Sequence, residues 1–200
     1  MVETPDRAAS EAAKARRAAI VATAAGVFLR YGFKKTSMDD LARAAGLSRQ
    51  GLYLHFPTKE AIFKEALLQM IANVRAASRA ALAQDDPSIE DRLLGAFAAL
   101  HCGEIGRSGA EHMSELLATS AELIGPVVDE LEQGLVADVA RALRTSGVAA
   151  RWKPAGLSAK DLAEHLYAAS YGLKHRVAGP SEYHEHMRVA VRIVCRGAVL

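Results

Sequence analysis

Apolar side chains recur every three or four residues along most of the chain, which is the spacing of one face of an α-helix. In the first such stretch, residues 10–31, the apolar positions include Ile20, Val27 and Tyr31. Gly32 follows at the place where a glycine commonly ends a helix. Runs of alternating apolar and polar residues, as half-buried strands require, are not found. The pattern therefore predicts an all-α protein.

Capping residues predict where the next helices begin, because Ser and Thr side chains accept hydrogen bonds from the free amides of a helix start. Ser37, with Asp40 three residues later, predicts a short second helix that ends near Ala45. Ser48 predicts the start of a third helix, and Thr58 that of a long fourth one. Five more are predicted around residues 93–100, 110–119, 126–147, 158–173 and 180–194, which makes about nine helices.

Residues 37–56 have the pattern of two short helices joined by a turn at Gly46, which is the helix-turn-helix arrangement. The second helix of such a pair lies in the major groove with its N-terminal side chains at the base edges. Arg49 and Gln50 occupy that N-terminus, and these side chains pair well with guanine and adenine respectively. The pattern therefore indicates binding to double-stranded DNA.

The same region closely resembles the N-terminal domain of the TetR family of transcriptional regulators, over about residues 12–65. The resemblance implies an N-terminal DNA-binding domain over residues 1–57 and a helical ligand-binding and dimerisation domain over residues 58–200. It is carried by segments 31–33 (YGF), 36–42 (TSMDDLA), 45–48 (AGLS), 51–56 (GLYLHF) and 58–60 (TKE).

Eight residues are implied by the resemblance to contact DNA. Thr36 and Ser37 are equally compatible with a purely capping role. Tyr53 is also compatible with a place in the core, and His55 with an ordinary surface position. Leu54 stands where many relatives carry tyrosine. The implied contacts are with phosphate for Thr36, Ser37, Tyr53, His55 and Lys59, and with bases or nearby phosphates for Ser48, Arg49 and Gln50.

The last two predicted helices are candidates for a dimer interface, since in TetR-family proteins they pack against a partner subunit. The eighth has two apolar stripes, and a helix that is apolar on two sides contacts two partners. We assign one stripe, continued on the ninth helix, to the partner, although packing of both stripes in the subunit's own core fits equally well. The assigned residues are Leu162, Leu166, Ala169, Leu173, Tyr183, Met187, Val191 and Val194.

The second stripe of the eighth helix is assigned to a ligand pocket inside the subunit. Apolar walls with a few hydroxyl and imidazole groups suit a small molecule that is mostly apolar or aromatic. The residues predicted to line this pocket are Phe97, His101, Met113, Leu117, Tyr167 and Tyr171.

The distribution of charge supports this division of the chain. The 200 residues carry a formal net charge of only +2. Residues 1–63, however, hold ten basic and six acidic residues, whereas residues 64–200 hold fifteen and seventeen. The DNA phosphates attract basic residues, so the charge balance favours residues 1–63 as the part that binds DNA. Its cations include Lys14, Arg16, Arg17, Lys34, Lys35, Arg49 and Lys59.

Few residues suggest other chemistry. Cys102 and Cys195 are far apart, so we expect two buried thiols rather than a disulfide scaffold. His101, Cys102, Glu104 and His112 have no defined metal-ligand spacing, and neither a metal nor another cofactor is predicted. The apolar stretch 18–29 is too short to cross a membrane, and a cytoplasmic protein is expected.

Together these features predict a homodimeric transcriptional repressor that binds a pseudo-palindromic operator. A small-molecule effector is expected to release it from DNA. Two alternatives stay open at this point. One is a constitutive architectural DNA-binding dimer without a ligand, and the other is an enzyme with a DNA-targeting head, for which the sequence offers no catalytic constellation.

Overall fold

The computed structural model describes residues 5–85, 88–101 and 110–197, and the side chains of residues 10–85, 88–101 and 125–197. In these residues it contains nine α-helices and one 3-10 turn, Lys153–Ala155, but no strand, which confirms the predicted all-α fold. The helices are α1 (Pro5–Tyr31), α2 (Met38–Ala44), α3 (Arg49–Tyr53), α4 (Lys59–Leu82), α5 (Ile89–Leu100), α6 (Ala110–Thr145), α7 (Val148–Arg151), α8 (Ala159–Lys174) and α9 (Pro180–Arg196).

The predicted caps are present at the starts of α2, α3 and α4. Ser37 and Asp40 form a reciprocal capping box, in which the Asp40 amide donates to Ser37 Oγ and the Ser37 amide donates to the Asp40 carboxylate. The hydrogen bonds from Ser37 hold the pKa of Asp40 below its ordinary value. At the starts of α3 and α4 only the first of these bonds is present: Ser48 Oγ accepts from the Gly51 amide, and Thr58 Oγ1 accepts from the Ala61 amide. Gly32 ends α1 with a φ of 81°, a left-handed conformation that favours glycine.

One continuous helix, α6, replaces two helices that the sequence predicted. Pro126 was expected to open a new helix, because proline is common at the first helical position. It lies inside α6 instead, where it removes one backbone hydrogen bond without ending the helix. The polar loop expected after Gly147 also contains structure, since α7 and the 3-10 turn occupy it.

The chain forms two compact units, each with its own core. The first contains α1, α2, α3, α4 as far as Met70, and α6 as far as Gly125. The predicted functional division at residues 57 and 58 stays a prediction. The largest fully buried side chains of the first unit are Phe28, Leu41, Leu52, Phe56, Ile62 and Phe63.

The second unit contains the rest of α4 and α6 together with α5, α7, α8 and α9. The stripe assigned to a partner subunit lies mostly in this unit's own core, which corrects that assignment. Its buried side chains belong to one apolar cluster with residues of α5 and α6. The sequence could not show this, because helical spacing indicates which residues share a face but not which face is inside. Leu162, Leu166, Tyr183, Met187, Val191 and Val194 are at most 4% exposed, and Ala169 and Leu173 are half-buried. The large apolar side chains exposed on α8 and α9 are Tyr171, Val189 and Ile193.

A chain of polar groups crosses the core of the second unit. His101 Nε2 lies 2.8 Å from Ser170 Oγ, which lies 2.7 Å from the Tyr183 hydroxyl. That hydroxyl also donates to the Phe97 carbonyl at 3.4 Å. Burial raises the pKa of Tyr183 to about 12. The phenol therefore stays protonated in the core, where it can satisfy its neighbours.

We expect Tyr183→Phe to destabilise the protein by about 1–3 kcal/mol, because buried polar groups lose a partner. The raised pKa of Tyr183 adds a pH dependence: its contribution is complete below about pH 10 and is lost as the pH rises through about 12. Urea unfolding at neutral pH and between these two values measures both effects. Tyr171→Phe, at a half-exposed position, is the control. Equal alkaline losses of stability in the wild type and Tyr183→Phe would contradict this role.

Candidate nucleic-acid interface

The predicted helix-turn-helix is formed by α2, α3 and the turn between them. Gly46 has a φ of 64° in that turn, a conformation in which other residues are strained. The Leu47 amide donates to the Ala42 carbonyl at 2.9 Å and closes the turn. Leu41 and Leu52 are at most 1% exposed, so the two helices share a small apolar core. The opposite surface of α3 is thereby left exposed.

The N-terminus of α3 presents Ser48, Arg49 and Gln50, all of them exposed. Arg49 Nη1 lies 3.1 Å from Asp39 Oδ2, and its guanidinium lies 5.8 Å from the ring centre of Tyr53. Tyr53, and secondarily Asp39, raise the pKa of Arg49 above its ordinary value. The guanidinium is therefore oriented and charged at the start of the candidate recognition helix.

The end of α3 presents an exposed apolar side chain next to two polar ones. Tyr53 is 42% exposed, Leu54 is 83% exposed, and His55 is half-buried. A single exposed apolar side chain is common on protein surfaces, so the exposure of Leu54 does not by itself identify a contact. The sequence marked Leu54 only as a departure from the family pattern, and its exposure was not foreseen.

Lys59 and Thr36 are brought together by the structure, but as parts of a clamp within the first unit. The Lys59 ammonium donates to the carbonyls of Phe33 and Thr36, each at 2.9 Å, and lies 4.2 Å from the Phe33 ring centre. An ammonium has three protons, so one remains for a phosphate. Thr36 is 3% exposed and its hydroxyl donates to the Gly32 carbonyl at 2.6 Å. Its side chain thus supports the turn before α2.

Arg17 is a second cation with a structural role, although it was counted in the basic excess. Its guanidinium pairs with Glu65 and lies 3.9 Å from the ring centre of Phe56. It also donates to the His55 carbonyl. One side chain of α1 therefore binds α4 and the segment that follows α3.

The residues predicted to form a ligand pocket do not all lie together in the second unit. Phe97 and His101 are buried, whereas Tyr167 is half-buried and Tyr171 is 51% exposed. The side chains of Met113 and Leu117 lie outside the part of the structure that is described. The pocket composed of these six residues therefore stays a prediction.

The described residues contain no group of three His, Cys, Asp or Glu side chains that could hold a metal ion. Cys102 and Glu104, two of the candidate ligands considered above, lie outside these residues, as does the side chain of His112. Cys195 is buried and free, and burial raises the pKa of its thiol to about 11. None of the described helices has an apolar stretch that could span a membrane.

Comparison with known proteins shows what the helix-turn-helix region is similar to. Residues 20–66, which include the whole helix-turn-helix, match the model of bacterial regulatory proteins of the tetR family. The match covers less than a quarter of the chain, and it identifies the helix-turn-helix region as similar to that of TetR-family regulators. The HTH-type transcriptional regulator RutR of Escherichia coli K12 is 36% identical over 62 residues, which are 31% of this chain and 29% of RutR. The HTH-type transcriptional repressor ComR of the same organism is 34% identical over 74 residues, 37% of this chain and 35% of ComR.

These alignments span about a third of the length of each curated relative. The structural similarity covers much more of the chain than these sequence alignments do. A transcriptional regulator from Rhodococcus sp. RHA1 has a TM-score of 0.68 at 19% identity, covering 92% of this chain and 98% of that chain. The proteins named here are regulators rather than enzymes, which leaves the enzyme alternative without support.

We expect Lys59→Met to destabilise the protein by about 1–3 kcal/mol, because two turn carbonyls lose a charged donor. Urea unfolding measures the change. Lys64→Met, at an exposed position on the same helix, is the matched control and is expected to leave the midpoint unchanged. Equal midpoints for the two variants would contradict the clamp.

Proposed function

We propose that this protein is a TetR-family repressor that binds a pseudo-palindromic DNA operator as a homodimer and is released by a small molecule. The observation that carries the proposal is the exposure of Arg49 and Gln50 at the N-terminus of α3, directly after the Gly46 turn. ComR, which is similar to 37% of this chain, is named as a repressor. As a DNA-bound regulator, the protein would act in the cytoplasm.

Base recognition is assigned to the first residues of α3. Arg49 would donate two hydrogen bonds to guanine, and Gln50 would pair with adenine. The ion pair of Arg49 with Asp39 does not prevent this, because both side chains are more than half exposed. Such surface pairs contribute only about 0–1 kcal/mol, so Arg49 can exchange Asp39 for a base.

Contacts with the DNA backbone would fix the position of α3 in the groove. Ser37, Ser48, Tyr53 and His55 offer hydroxyl and imidazole groups to phosphate, and Lys59 offers its remaining proton. We omit the Thr36 side chain, because it is buried and donates to Gly32. Leu54 would supply an apolar contact, for which the methyl group of thymine is the matching partner.

Dimerisation is assigned to the exposed faces of α8 and α9. TetR-family proteins use these two helices, and here they expose Tyr171, Val189 and Ile193. Val189 and Ile193 are four residues apart and therefore adjacent on the helix surface. A two-fold dimer places its recognition helices about 34–36 Å apart, or at a multiple of that distance, which requires a pseudo-palindromic operator.

Release by an effector requires that the molecule bind one conformation of the dimer better than another. α4 runs through both units, from Lys59 in the first to Leu82 in the second. A molecule bound beside its second half therefore contacts the same helix that carries the Lys59 clamp. We propose a small effector with a mostly apolar or aromatic body.

Arg49→Ala is expected to weaken binding at its preferred base by about 1–3 kcal/mol and to relax the preference there. Operator sequences are first selected from random DNA with the wild-type protein. Affinities for the selected and random duplexes are then measured at one fixed salt concentration. Arg144→Ala, an exposed arginine in the last turn of α6, is the matched control. Equal losses on both duplexes for Arg49→Ala would exclude base recognition by this residue.

Ile193→Glu is expected to convert the dimer into a monomer, because a carboxylate would be buried against the partner's apolar surface. Analytical ultracentrifugation measures the mass, and circular dichroism shows whether the variant is folded. Leu157→Glu replaces an exposed leucine outside α8 and α9 and should remain dimeric. A folded, dimeric Ile193→Glu variant would refute the proposed interface.

A further inference from the structure

Asp39, in the first turn of α2, places a carboxylate on the exposed surface of the helix-turn-helix, where its side chain is 52% exposed. An acid at this position commonly serves the cap or the dipole of its helix. The capping role is already filled by Asp40, whose carboxylate accepts from the Ser37 amide at 3.0 Å. Asp39 takes no part in that capping box. The start of α2 therefore does not account for this side chain.

The partner of Asp39 lies on the other helix of the helix-turn-helix. Asp39 Oδ2 accepts a hydrogen bond from Arg49 Nη1 at 3.1 Å, although the two residues are ten positions apart in the chain. Oppositely charged residues four positions apart on one helix commonly pair, and Arg43 stands four positions after Asp39. Arg43 Nη1 lies 3.8 Å from Asp40 Oδ1 instead. The fold thus joins Asp39 to the first residue of α3.

This pair occupies only one side of the Arg49 guanidinium. The group is planar and carries five N–H donors in a fixed fork. With Asp39 on Nη1, the edge formed by Nε and Nη2 still has two parallel donors. Two parallel donors are what the O6 and N7 atoms of guanine accept in the major groove. Arg49 can therefore bind a guanine while it keeps Asp39, and exchange of one for the other is not required.

An arginine that is oriented in advance loses less freedom when it binds. Immobilising a long side chain at an interface lowers affinity by about 2- to 10-fold. Asp39 contacts the guanidinium of Arg49, and the ring centre of Tyr53 lies 5.8 Å from it, so both restrict the side chain before DNA is bound. Exposed ion pairs add little to the stability of the fold. The effect expected of this pair is therefore on orientation.

The same pair opposes contact of Arg49 with phosphate. On a random sequence no guanine stands opposite the oriented edge. To turn toward a phosphate, the guanidinium would have to leave Asp39, whose negative charge also repels that phosphate. Asp39 is thus expected to favour the guanine contact and to disfavour the phosphate contact. Specificity is a difference between two affinities, so both effects increase it.

We propose that Asp39 is a positioning residue for base recognition, which orients the Arg49 guanidinium toward a guanine and keeps it from the phosphates. The inference rests on the proposed function, because it requires that Arg49 bind a base. It deepens that function by assigning part of the specificity to α2. Asp39 is not among the eight residues that the family resemblance implies to contact DNA.

Asp39→Asn tests the proposal, because asparagine retains the size of the side chain and removes its charge. Affinities for the selected operator and for a random duplex are measured by fluorescence anisotropy over a series of salt concentrations. We expect the ratio of the two affinities to fall about 3- to 10-fold. The salt slope on random DNA should steepen by about one, since Arg49 becomes able to neutralise a phosphate. An unchanged ratio would overturn the proposal.

Glu60→Gln is the matched control. It removes an exposed carboxylate from the first turn of α4, and Glu60 forms no ion pair within the described part of the chain. This variant should keep the wild-type ratio, and a fall equal to that of Asp39→Asn would reduce the effect to general charge and overturn the proposal. Thermal unfolding shows whether each variant is folded. Should Asp39→Asn fail to fold, Asp39→Ser provides the same test.

The double variant with Arg49→Ala shows whether Asp39 acts through Arg49. In the Arg49→Ala background, Asp39→Asn should change neither the affinity ratio nor the salt slope. A carboxylate can also bind DNA bases directly, by accepting from the amino group of cytosine. A fall in the ratio that persists without Arg49 would show such a direct contact and would refute the positioning role.

The outcomes distinguish this inference from the proposed function. Equal losses on operator and random DNA in Arg49→Ala would remove base recognition by Arg49, and the role of Asp39 with it. A relaxed base preference in Arg49→Ala, together with an unchanged affinity ratio in Asp39→Asn, would leave the proposed function intact and remove only the role of Asp39.

Discussion

The hydrogen bonds of the Lys59 ammonium to the carbonyls of Phe33 and Thr36 hold the turn from which the helix-turn-helix starts. That turn begins at Gly32 and ends at Ser37, the N-cap of α2. The conformation of the turn therefore sets the direction of α2. Arg17 of α1 also holds neighbouring segments together, because it pairs with Glu65 of α4 and packs on the Phe56 ring. Part of the basic excess of the first 63 residues is therefore structural. The charge count alone overstates the surface that faces DNA, and the exposed N-terminus of α3 defines that surface more closely.

Much of the fold could be predicted from local sequence, because capping is a local interaction. Ser37, Ser48 and Thr58 satisfy amides three residues away, and each helix began where its cap indicated. Pro126 was misinterpreted for a related reason. Proline fits the first turn of a helix and is tolerated at a cost inside one, and the neighbouring residues suit both positions. Only the three-dimensional course of α6 distinguishes the two.

The site was predicted less completely, because its long-range contacts leave no local signal. The exposed position of Arg49 follows from its place at a helix start, but Lys59 donates to carbonyls 23 and 26 residues away. Likewise, the apolar stripe of α8 was identified as a stripe, yet its burial in the subunit's own core depended on α5, α6 and α9. Asp39 has the position of an ordinary first-turn acid. Its contact with Arg49 could be found only from the tertiary structure.

The contacts of Lys59 and Arg17 also determine which segment must be moved when the DNA-binding region is joined to another regulator. A chimera joined between residues 57 and 58 would take α1, α2 and α3 from one parent and α4 from the other. Lys59 and Glu65 would then come from the recipient, whereas the carbonyls of Phe33 and Thr36 and the guanidinium of Arg17 would come from the donor. A junction beyond Met70, where the first unit leaves α4, keeps each of these pairs within one parental sequence. The transferable module is thus longer than the DNA-reading segment itself.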